Sequence, residues 1–163
     1  HFEIAFSALM GAGFSAFLMA LAVLFSHVLQ PEITPFVWHG FIVFALMGAL
    51  FNLGNLIPVW KFDGGQVLRQ VFRSRAGLAV GSFVLLSWFF VVGYTLGVPS
   101  RALIVVGAVF ALLSFMTSKG GVKPKNPLTP MSMRERLAIL LAFAAVFATH
   151  SFVLIWSAER LLV

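Results

Sequence analysis

Long apolar runs separated by short polar clusters dominate the chain. Residues 4–29, 36–60, 77–98, 102–117 and 137–156 are each almost wholly apolar, and roughly 20 such residues are what a helix needs to cross the hydrocarbon core of a bilayer. The fourth run is short. Between the runs stand Pro31 and Pro35, then Asp63-Gly64-Gly65, then Pro99, then Gly120-Gly121 through Pro124, Pro127 and Pro130, residues that end helices and turn chains. The pattern predicts an all-α fold: a polytopic transmembrane helix bundle of about five spans, with a broken helix at residues 58–65.

Inside the first run, Ala8, Ala12, Ala16 and Ala20 form a row at intervals of four, with Ser7, Gly11 and Ser15 beside it. Gly77 with Gly81, and Gly93 with Gly97, repeat the spacing. Small residues so placed let helix backbones approach closely in lipid, so helix packing is their expected role. No internal repeat is evident, which weakens an inverted-repeat transporter.

Composition supports the same class. The chain is 61% apolar and 10% charged, with a mean hydropathy of +1.03, whereas soluble domains carry about 25% charged residues. There is no Cys, which excludes disulfides, thiolate metal sites and a thiol nucleophile. The net charge of +6 lies mainly in two connections: Lys61, Arg69, Arg73 and Arg75, then Lys119, Lys123, Lys125, Arg134 and Arg136. By the positive-inside rule these face the cytoplasm, which gives a cytoplasmic start and an outside C-terminus, by default in a prokaryotic cytoplasmic membrane. The basic stretch also suits anionic lipid, and nucleic acid is not an expected partner. The chain opens at His1 without a Met, as a piece of a longer protein would.

Ionisable groups within membrane segments are rare and point to function. Asp63 is the single Asp, and it closes a stretch a plain membrane helix would avoid. Pro58 removes a backbone donor and frees carbonyls, Asn52 and Asn55 offer amides to freed backbone or an extended peptide, and Gly64-Gly65 permits a turn. Together they describe a broken helix end presenting one carboxylate at or near membrane depth. A simpler role for Asp63 is an interfacial ion pair with Lys61 or Arg69. His27 and His39 are expected at the opposite membrane face, His150 as a lone polar residue within the last span, and Trp38, Trp60, Trp88 and Trp156 as interfacial or packing residues.

Asn55-x-x-Pro58-x-x-x-x-Asp63-Gly64 resembles the second signature of the site-2 proteases, intramembrane zinc metalloproteases. Gly65, Leu68 and Arg69 fit the continuation, and Glu3 with Ala8-Leu9-Met10-Gly11 is similar to the start of the preceding core helix, so the resemblance covers about residues 3–75. It implies a zinc ion held by two His of an H-E-x-x-H helix and by Asp63 as third protein ligand. The motif Glu would then act as general base on a metal-bound water. On the same resemblance Asn55 and Pro58 shape the place where a substrate strand lies, and Gly64 and Gly65 turn the chain beside it. The sequence departs from the pattern in Ala12 and Ser15, where Pro and Asn are usual, in Lys61, a cation two residues before Asp63, and above all in lacking H-E-x-x-H. No catalytic residue is therefore expected within the chain itself, and the motif is expected upstream.

The expected organisation is a partial protease-like core over 1–75, two further spans over 76–118, a basic cytoplasmic linker over 119–136 and a last span over 137–163. The expected function is that of the membrane-embedded part of an intramembrane protease whose substrate is a transmembrane or membrane-associated protein. A transporter or channel component using Asp63 as a proton or cation site, and a non-catalytic membrane scaffold, are the alternatives.

Overall fold

A computed structural model describes residues 1–29, 34–59, 61–72, 74–117 and 129–162. These form six helices and, among the described residues, no strand: α1 (Phe2–Val28), α2 (Pro35–Asn55), α3 (Asp63–Val71), α4 (Arg75–Thr95), α5 (Ser100–Thr117) and α6 (Met133–Leu162). Four of them, α1, α2, α4 and α6, are long and apolar enough to cross a membrane. Within α5 the apolar stretch counted, Ser100–Leu113, is shorter, so the expected fourth span is the weakest of the five.

Local chemistry sets the helix starts. Thr34 is extended and Pro35 opens α2, where the missing amide hydrogen of proline costs nothing. The Ser74 hydroxyl accepts from the Gly77 amide at 3.0 Å to start α4. Before α6, Ser132 and Glu135 form a reciprocal capping box. The Ser132 amide donates to the Glu135 carboxylate at 2.7 Å, and the Glu135 amide donates back to the Ser132 hydroxyl at 3.3 Å. Arg134 and Arg136 therefore belong to the first turns of α6 rather than to a linker. Residues 118–128, which hold Lys119, Lys123 and Lys125, lie outside the described residues.

The core is built from the two ends of the chain. The last helix, α6, packs most extensively against α2 and α1, α1 packs against α2, and the short α3 lies along α1. The pair α4 and α5 attaches more lightly, through α3 and α6. On α1 the buried stripe is Ala5, Leu9, Ala12, Ala16, Met19, Ala22 and Ser26. This corrects the expected row: Ala8 is half-buried and Ala20 exposed. A strict interval of four drifts about 40° around the helix per step, whereas alternating intervals of three and four hold one face.

Polar side chains join these core helices. The Asn52 amide of α2 donates to the Ser15 hydroxyl of α1 at 2.7 Å and to the Gly48 carbonyl at 2.8 Å. His150 of α6 is fully buried, and its Nε2 lies 3.0 Å from the Ala12 carbonyl, which can only accept, so the proton sits on Nε2. The outer surface is the reverse of a soluble protein's: Phe14, Phe17, Phe36, Phe51 and Phe83 are each 59% exposed or more.

Candidate functional site

The residues singled out in the sequence meet where α2 ends and α3 begins. Helix α2 stops because Pro58 cannot supply an amide hydrogen and steers its predecessor away from helical angles. The Leu56 amide still reaches the Asn52 carbonyl at 3.0 Å and the Ile57 amide the Gly54 carbonyl at 3.3 Å. The Val59 amide then turns back to the Ile57 carbonyl at 2.8 Å across Pro58, and the Phe62 amide to the Val59 carbonyl at 2.9 Å. Loops normally run over the surface, but Leu56, Ile57, Pro58 and Val59 are buried.

Gly64 fixes how α3 leaves this corner. A Cβ placed on it would stand 1.9 Å from the Leu56 carbonyl oxygen and 2.3 Å from the Leu56 carbonyl carbon. The first turn of α3 thus rests directly on the backbone at the end of α2, an approach that only glycine allows. Both Gly64 and Gly65 are buried inside the helix. Helix α3 has already begun at Asp63, so the expected break over 58–65 is corrected at its C-terminal side: both glycines lie in the helix, and Gly64 serves close packing rather than the turn.

Asp63 is the first residue of α3, a position where the helix dipole favours a negative charge. Its side chain is half-buried, and loss of solvent pushes its carboxyl above the usual carboxylate range. Among the described residues neither Lys61 nor Arg69 pairs with it, and Lys61 is exposed. Asn55 is half-buried one turn before Pro58, with no partner for its amide among the described residues. The structure thus brings Asn55, Pro58, Asp63, Gly64 and Gly65 to one corner. Asn52 is absorbed into the bond between α1 and α2.

The remaining candidates lie elsewhere. His27 is in the last turn of α1, its ring 5.4 Å from that of Trp156, and α1 is long enough, roughly 40 Å for its 27 residues, to hold it far from α3. His39 bonds the Pro35 carbonyl at 2.7 Å. His1 is closer to the corner: its ring Nδ1 bonds the Gln70 side chain on α3, and its amino group reaches the Thr129 carbonyl at 3.4 Å. These contacts gather the start of α1, α3 and the approach to α6 at one end of the bundle. That is also the end carrying Arg75, Arg134 and Arg136.

A catalytic zinc takes three protein ligands. Among the described residues no group of three His, Cys, Asp or Glu side chains could hold a metal ion, so Asp63 and its surroundings do not fit zinc by themselves. His150 was readable only as a lone polar residue in an apolar run; its partner is a backbone carbonyl 138 positions away, which no local pattern marks. No family model, curated protein or solved structure matches the chain.

Proposed function

We propose that the chain is the membrane-embedded part of an intramembrane zinc metalloprotease that hydrolyses peptide bonds of membrane proteins, and that Asp63 is the ligand this part contributes. The observation that carries the reading is the state of Asp63: an unpaired, partly desolvated carboxylate at a helix start, seated on a buried corner by the contact between Gly64 and Leu56. An ordinary interfacial aspartate would be fully solvated or paired with its neighbouring cations, whereas this one is partly desolvated and has no partner among the described residues. The reading requires the two His and the general-base Glu from outside these 163 residues. Within the chain, the free amide of Asn55 beside the buried Pro58 corner is the group placed to bond an extended substrate backbone.

The same carboxylate also supports a second reading, a proton or cation site in a transporter or channel. Elemental analysis separates the two, on protein expressed from its complete gene and on the same protein carrying Asp63→Asn. The expected result is one zinc per chain, lost or readily stripped by chelator in the variant, together with loss of cleavage of a transmembrane reporter. Zinc absent from both proteins, or retained equally by both, would overturn the protease reading.

A further inference from the structure

An apolar groove of about 430 Å³ separates α4 from α6. Its walls are Leu68 of α3 and Phe72 just after it, Val84 and Trp88 of α4, and Leu140 and Ala144 of α6, and polar surface is nearly absent from it. Trp88 closes the far end by donating from Nε1 to the Ser151 hydroxyl at 3.2 Å. Along α6 the lining runs from Leu140 to Ala148, about 12 Å at 1.5 Å per residue, close to half of a hydrocarbon core about 30 Å thick. A groove so lined gives water no partners, so in a bilayer it is filled by something apolar and narrow. A single acyl chain suits it.

The open end is basic. Arg136 stands one turn before Leu140 on the same face of α6, and its Nε is buried with no hydrogen-bond partner. Arg134 and Arg75, the latter opening α4, are exposed at the same end of the bundle. The Glu135 carboxylate is directed to the Ser132 amide and hydroxyl at 2.7 and 2.9 Å and forms no ion pair with Arg134 or Arg136 among the described residues. Guanidinium groups pair with phosphate through several directed donors, and basic pockets between membrane helices hold anionic lipid headgroups. We propose that this groove is a binding site for one anionic phospholipid, an acyl chain lying between α4 and α6 and the phosphate held by Arg136 and Arg75. The site depends on membrane placement alone and stands whether or not Asp63 binds zinc.

The test titrates the detergent-purified, delipidated protein with dioleoyl phosphatidylglycerol and, separately, dioleoyl phosphatidylcholine, and counts bound lipid by native mass spectrometry. Wild type is expected to take one phosphatidylglycerol per chain in preference to phosphatidylcholine. Arg136→Gln should weaken phosphatidylglycerol about fivefold, the value of one arginine near a lipid surface, and leave phosphatidylcholine unchanged. Ala144→Trp, which fills the groove from a solvent-exposed wall position, should lose both lipids while its circular dichroism and melting stay those of wild type. Should Ala144→Trp unfold the protein, Ala148→Leu serves as the groove-filling variant. Equal affinity for the two lipids, undiminished phosphatidylglycerol in a folded groove-filled variant, or a dimer that dissociates on filling the groove would overturn the proposal.

Discussion

Two corners of the molecule carry the same sequence vocabulary, a proline with a glycine nearby at the end of an apolar helix, and fold by different means. Between α4 and α5, Gly97 adopts φ +75°. Its amide reaches the Tyr94 carbonyl and that of Val98 reaches the Gly93 carbonyl, each at 3.0 Å. This is a Schellman end, complete in its own backbone bonds and exposed. Between α2 and α3 no described residue takes a positive φ, and Leu56 to Val59 are buried, with Gly64 seated on the Leu56 carbonyl. One corner is specified locally and would turn the chain anywhere. The other is held by what surrounds it, so its geometry is fixed relative to the helix core, and the carboxylate stands on it.

The contrast is sharpest in the glycines. Gly64→Ala forces a Cβ into backbone that cannot yield without separating α3 from α2. A loss of about 3 kcal/mol or more is expected, seen as a large fall in melting temperature in detergent and, under the proposed protease reading, as loss of zinc. Gly97→Ala meets nothing within 4 Å and bears only the strain of its positive φ, about 1 kcal/mol, with zinc retention unchanged. If the two substitutions cost the same, the distinction between a corner held by its neighbours and a local one fails.

The smallest effect concerns charge. Because the folded carboxyl of Asp63 is raised by desolvation, folding favours its protonated form. Its contribution to stability is full below the unfolded carboxylate range and falls away as pH rises through the raised folded value. Asp63→Asn should therefore melt slightly higher than wild type above that window, with the difference closing as pH falls, even though the variant loses function. Melting curves that run parallel across pH would show that the corner does not desolvate Asp63.

How much of this was legible follows from the same contrast. Apolar length revealed the long helices, and Pro58 and Asp63 marked the corner, because a proline and a lone carboxylate stand out at the end of an apolar run. The inward faces stayed hidden. Each span is apolar all round, and lipid is as apolar as leucine, so no amphipathic period separates Ala12 from Ala20. The glycine pair read as a turn, since closeness of Gly64 to Leu56 is a tertiary fact. The partnership of α6 with α1 and α2 was invisible for the same reason, although Ser132 and Glu135 carried a readable capping signature.

That partnership sets an order of events during synthesis. The Ala12 carbonyl and the His150 ring that bonds it are 138 residues apart, and contacts so distant along a chain form late. Helices α1 and α2 are made before α6, and the face they share with it stays uncovered until the thirty residues of α6 have been made. Assembly of the Asp63 corner on a complete bundle is thereby deferred until α6 has been made, and a nascent chain halted after α5 would hold its carboxylate on an incomplete bundle, a natural target for membrane quality control.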